Sequence, residues 1–145
     1  MKGSCACFDC RSAALALVRW GLGLLFLVGG ISKLFHLGGF VNAYLAPAFA
    51  STFLPSGLVA AYGYALPFVE LLLGITLVLG LCRNVALLIA GLTLISLAFG
   101  QMLLQKFDVV AQILVYLFMT GSVLFLGAYD RWIVDCGCKS ANAQE

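Results

Sequence analysis

Four long apolar runs, at residues 13–35, 57–81, 85–104 and 109–128, leave this chain few ways to fold. A helix is the single-segment structure that satisfies its own backbone in hydrocarbon, and about 20 apolar residues of helix cross it. Each run therefore reads as a transmembrane span. Ser12, Ser56, Asn84 and Asp108 stand where N-caps are expected. The second and third runs are joined by Cys82, Arg83 and Asn84, the third and fourth by Gln105 to Asp108. Links this short force antiparallel neighbours. The expected fold is an all-α membrane protein, an antiparallel bundle of four transmembrane helices in one domain over residues 1–145. Residues 1–12 and 129–145 would be tails and 13–128 the bundle. Charged residues make up only 10% of the chain against 63% hydrophobic, where a soluble domain carries about 25% charged. Lipid must solvate part of this surface, so the bilayer is the first partner. A net charge of +2 with no basic patch argues against nucleic acid. The N-terminus does not read as a cleavable signal: its opening is polar and cysteine-rich, and the run behind it is of spanning length.

Residues 36–55, between the first two spans, carry no Asp, Glu, Lys or Arg and hold Phe40, Tyr44, Phe49 and Phe53, broken by Gly38, Gly39 and Pro47. This is an interfacial or partly re-entrant segment capping one end of the bundle, or an ordered loop with aromatic anchors. Lys2, Arg11, Arg19, Arg83, Arg131 and Lys139 fall on the side of the termini, against Lys33 and Lys106 on the other. The positive-inside rule then places both termini in the cytoplasm, in a membrane such as a bacterial inner membrane. Gly23 and Gly30 share one face of the first helix, Ala86 and Ala90 one face of the third. Both pairs are suited to close helix packing in lipid.

The ionisable residues within the spans are the strongest functional signal. Glu70 lies near the middle of the second span, where a charge costs roughly 2.5–3.5 kcal/mol on the most lenient scale. It must face the interior, find a partner or take up a proton. Pro67, one turn earlier, leaves the Gly63 carbonyl without its usual donor and opens a place for a polar group or water. Arg19 and Lys33, fourteen residues apart, project from one face of the first helix. The functional reading is an Arg19–Glu70–Lys33 track that binds a small anion or quinone headgroup or relays protons, extended by Gln101 and Gln112. In the structural reading the two cations snorkel to their own interfaces.

Some of these residues carry a family likeness. Arg19-Trp20-Gly21-Leu22-Gly23 through Phe26, then Gly29-Gly30-Ile31-Ser32-Lys33-Leu34-Phe35, resembles the opening of the DoxX/DoxD family. Pro67-Phe68-Val69-Glu70-Leu71-Leu72-Leu73-Gly74, followed by Gly80, Leu81 and Arg83, resembles its second helix, and Tyr44 its first-loop tyrosine. The likeness runs over residues 18–127. It implies a four-helix membrane protein, and for some members a link to thiosulfate:quinone oxidoreductases or thiol systems; other relatives act in assembly.

The cysteines depart from that pattern. Cys5, Cys7 and Cys10 form C-x-C-x-x-C, Cys136 and Cys138 form C-x-C, and Cys82 falls on the same side of the membrane. In a reducing compartment such clusters bind metal or do redox work more often than they form disulfides. Cys5, Cys7, Cys10, Cys136 and Cys138 are candidate ligands for Zn or Cu(I). The spacing fits an iron–sulfur cluster poorly, and Cys7 and Cys10 could also exchange as a dithiol. Idle thiols in unstructured tails are the plain alternative. His36, the single histidine, sits at the opposite end and could not share such a site.

Three functions compete. One is a DoxX-type redox subunit linking a thiol or sulfur substrate to quinone, with Glu70, Arg19 and Lys33 as its catalytic residues. Another is a Cu(I) or Zn binding or transport protein using thiolate tails. The third is a non-catalytic assembly or partner-binding subunit, with a membrane or soluble protein partner or a second copy of itself.

Overall fold

The computed structural model describes residues 10–127. Four helices there are long and apolar enough to cross a membrane. They are α1 (Cys10–Phe35), α3 (Ser56–Leu79), α4 (Arg83–Leu103) and α5 (Phe107–Phe125). No strand occurs among the described residues. Between α1 and α3 the chain forms a π-helical segment, Gly39–Leu45, that runs directly into the short α2 (Ala46–Phe49). The sequence left that segment open between a re-entrant piece and a loop; it is helical throughout its middle.

The expected N-caps are displaced. Ser12 lies inside α1, Ser56 and Asn84 are already helical, and the cap positions of α3, α4 and α5 fall on Pro55, Cys82 and Lys106. None of those three helices has a side-chain cap bond. Helix geometry begins a residue or two earlier than polar side chains suggested, because the turns themselves set the entry. The α3–α4 turn shows how. Gly80 adopts φ 72° and Cys82 φ 41°, and the amides of Gly80 and Leu81 both donate to the Thr76 carbonyl. That closes α3 with a glycine C-cap and reverses the chain within three residues.

The bundle is built from two pairs, α1 on α3 and α4 on α5, joined by lighter α3–α4 and α1–α5 contacts. Its apolar core is shared by all four helices, including Leu22, Phe26, Leu77, Leu87, Leu94 and Val123. At the α1–α3 crossing three glycines let backbone meet backbone. A Cβ on Gly74 would lie 2.6 Å from the Leu27 nitrogen, one on Gly30 2.7 Å from the Leu71 nitrogen, and one on Gly23 2.7 Å from Val78 Cγ2. Ala86 and Ala90 are buried on α4, as their spacing predicted. Many large apolar side chains, Leu17, Leu72, Leu92 and Phe118 among them, point outward, as expected of a surface facing lipid.

Those glycine contacts also fix the stagger. Gly23 lies against Val78, Leu27 against Gly74 and Gly30 against Leu71, so each step up α1 matches a step down α3. On this register α1 ends near the level of Leu66. The first ten or so residues of α3, roughly 15 Å of helix at 1.5 Å per residue, rise beyond it. Residues 36–49 fill that step: Val41 is buried, and its methyls and those of Leu45 occupy the space beside Gly63.

Candidate functional site

Glu70 is 3% exposed on α3, one helical turn past the buried Pro67. Lys33, two residues from the end of α1, turns inward instead of snorkelling to the interface. Its Nζ donates to Glu70 Oε1 at 2.5 Å and to Oε2 at 2.6 Å. A carboxylate and an ammonium in mutual bidentate contact replace much of the hydration each would lose in lipid. A Cβ on Gly29 would stand 3.7 Å from Glu70 Oε2, ordinary van der Waals contact, so the carboxylate lies close against α1.

The cation side of the pair is faced by the π-helical segment. Lys33 Nζ stands 5.7 Å from the centre of the Phe40 ring. Phe40 stacks on Tyr44, ring centres 6.2 Å apart at 20°. Tyr44 in turn accepts a 2.9 Å hydrogen bond from Lys106 Nζ, which also lies 5.0 Å from the Tyr44 ring. Two ammonium groups thus bracket a stacked aromatic pair, and both contacts are of cation–π type. The sequence marked Phe40 and Tyr44 as interfacial aromatics, and Tyr44 also as the likeness of a first-loop tyrosine, without pairing them. Their spacing of four, on a segment taken to be helical, is the signal that could have paired them.

The expected three-residue track is not formed. Arg19 is buried on α1, but about twelve residues from the level of Glu70, roughly 18 Å along the helix. Two side chains cannot span that distance. On the α1–α3 register Arg19 falls level with the α3–α4 turn instead. Nor do the two glutamines extend a track. Gln101 buries its Oε1 without a hydrogen-bond partner, and Gln112 is exposed on the outside of α5. The opening expected beside Gly63 and Pro67 is filled by the apolar Val41 and Leu45 side chains. His36 is exposed, as an interfacial residue should be.

Arg83 ties the chain together at the other end of the bundle. Arg83 Nη1 donates to the Gly127 carbonyl at 2.5 Å, just past α5, while its Nε and Nη2 reach Asn84 Oδ1 at 3.2 and 3.0 Å. A guanidinium at the C-terminal end of a helix satisfies an orphan carbonyl and complements the dipole. A Cβ on Gly127 would sit 2.7 Å from Arg83 Nη2.

Cys5, Cys7, Cys136 and Cys138 lie outside the described residues, and Cys10 opens α1 with its side chain undescribed. Cys82 is exposed in the α3–α4 turn. Among the described residues no group of three His, Cys, Asp or Glu side chains is arranged to hold a metal.

No curated protein and no solved structure matches the chain. A family does, and it overturns the resemblance to DoxX/DoxD. Gly23, Gly30, Gly74, Lys33 and Glu70, which helped carry that resemblance, are residues by which α1 and α3 close on an ion pair. The family described as methylamine utilisation protein MauE matches residues 11–110, more than half of the sequence, and the chain belongs to that family.

Proposed function

We propose that this chain is a non-catalytic membrane subunit that assembles with, or helps assemble, another protein of a methylamine-utilisation system. The supporting observation is how the charged residues are used. Both oxygens of Glu70 are engaged by Lys33 at the α1–α3 crossing, with the chain's own Phe40 on the other side of the ammonium. Such a pair fixes helix register and depth. The family's description points the same way, to a component of a larger system.

In this reading the partner is a membrane or soluble protein. Zn or Cu(I) held by Cys5, Cys7, Cys10, Cys136 and Cys138 would brace the tails, and both termini would face the cytoplasm. The test is co-purification of the tagged full chain, in mild detergent, from cells making their methylamine-utilisation proteins. A stoichiometric second component from that system, retained in the Lys33→Met/Glu70→Leu double variant, is the expected result. Quinone reduction by the purified chain alone, with a thiol or thiosulfate as donor and abolished by Glu70→Gln, would overturn it. Metal content before and after Cys→Ser changes tests the ligand set. Cys82, exposed at the α3–α4 turn, reports orientation when intact cells meet an impermeant thiol reagent.

A further inference from the structure

We infer that residues 36–49 form a lid over the Lys33–Glu70 pair, hinged at Gly38–Gly39 and latched to the α4–α5 turn by Tyr44 and Lys106. Its opening would admit water and water-soluble molecules to the pair from that end of the bundle. The inference is independent of the assembly role.

Four observations meet in this segment. The lid lies in the step left by the stagger of α1 and α3, over the end of the helix that carries Lys33. Its underside makes three contacts: Phe40 stands over the Lys33 ammonium, Val41 and Leu45 seat in the space beside Gly63, and the Phe49 ring lies 3.5 Å from where a Cβ on Gly100 of α4 would be. A Cβ on Gly63 would come within 2.7 Å of Leu45 Cδ2 and 3.2 Å of Val41 Cγ2, so the seat exists only because residue 63 has no side chain. The latch is one hydrogen bond and one ring contact, Lys106 Nζ to Tyr44, across 62 residues of sequence. At the hinge, positions 38 and 39 have nothing within 4 Å of where a Cβ would be, so motion there meets no packed neighbour.

The lid is also cheap to move. Its backbone is π-helical over Gly39–Leu45, a form with poorer geometry than the α-helix and commonly found at functional sites. Of its residues only Val41 is fully buried. What it covers is expensive to expose to lipid but not to water. Opening toward the aqueous end therefore costs mainly the seat, the latch and the Phe49 contact beside Gly100. This places the low-stability segment of the protein directly over its one described intramembrane ion pair.

A water-soluble carbodiimide reads the lid state. The reagent converts the Glu70 carboxylate to an O-acylisourea; the Lys33 amine, once deprotonated, displaces the urea and forms an amide, with net loss of one water. Mass spectrometry of the detergent-purified full chain measures that cross-link, and modification of the exposed Asp108 provides an internal reference for reagent activity. Tyr44→Phe removes the latch hydroxyl but keeps the ring, and Lys106→Met removes the donor. Each should raise the Lys33–Glu70 cross-linking rate, relative to Asp108, by roughly three- to tenfold, the opening expected from one lost hydrogen bond. Gly63→Leu should unseat the lid and raise it further; helical circular dichroism and monodisperse elution identify folded variants. Equal cross-linking in wild type, Tyr44→Phe and Lys106→Met overturns the lid. So does equal modification of Glu70 in all three by a lipid-soluble carbodiimide while the water-soluble reagent stays excluded from all, since access would then be lateral from the bilayer.

Discussion

The two helix pairs of this bundle are held by different means. Between α1 and α3, glycines at 23, 30 and 74 bring backbone against backbone, and an ion pair is locked into the crossing. Between α4 and α5 the contact is looser: a Cβ on Gly91 would meet Leu117 and Thr120 only at 3.8 and 4.0 Å, and one on Gly121 would meet nothing. Apolar attraction between helices is weak in lipid, so close packing and polar pairing must do most of the work. The α1–α3 pair uses both. The α4–α5 pair relies on buried alanines and ordinary side-chain contact, and serves as the platform for the Lys106 latch and the Arg83–Gly127 tie. Precision is concentrated where the charge is buried.

That contrast can be broken by substitution. The largest effect is expected from Lys33→Met alone. Lys33→Met strands the buried Glu70 carboxylate, at a cost of about 3–5 kcal/mol; Glu70→Leu leaves a lysine whose side chain is 25% exposed and should cost less. The double variant should recover most of that loss, since the remaining groups are apolar; thermal unfolding in detergent compares the three. Recovery by less than half would mean that the pair does more than neutralise itself. Next comes Gly74→Ala, which drives a methyl into the Leu27 backbone at 2.6 Å. Overpacking of this kind costs about 1–3 kcal/mol. The same change at Gly91 should cost less than half as much, and equal losses would erase the distinction between the two pairs.

Arg83→Ala should be milder again. It removes a charge-assisted bond to the Gly127 carbonyl, about 1.5–3 kcal/mol at most and less where water reaches the carbonyl. Faster hydrogen exchange confined to the end of α5 is the expected signature. The smallest change is Gly121→Ala, at an open helical position, which should stabilise by up to about 1 kcal/mol through helix propensity. A loss of stability there would show that α5 packs against something more than its described neighbours.

Much of the architecture could be read from residue types alone. Lipid forbids unpaired backbone, so four apolar runs with short links meant an antiparallel helical bundle, and a glutamate at mid-depth had to be satisfied within the protein. Gly23, Gly30, Ala86 and Ala90 declared their faces by spacing. The site was legible only in part. Lys33 and Glu70 were both visible, yet whether a long cation turns inward or snorkels depends on the height of its neighbours. That height follows from the α1–α3 stagger, which no periodicity encodes. The stagger also separated Arg19 from the pair, although the two cations share a helix face.

The family likeness failed for a related reason. Glycine and charge spacing describe how two helices close on each other, which is a packing requirement and not a family signature. The aromatic segment shows the division most clearly. Its composition marked it as interfacial, because uncharged aromatics belong at that depth. Only the tertiary structure made it a cover, since one helix stops short of its partner and something must fill the step. Sequence determined what each segment could tolerate as surroundings; packing determined which of those surroundings it received.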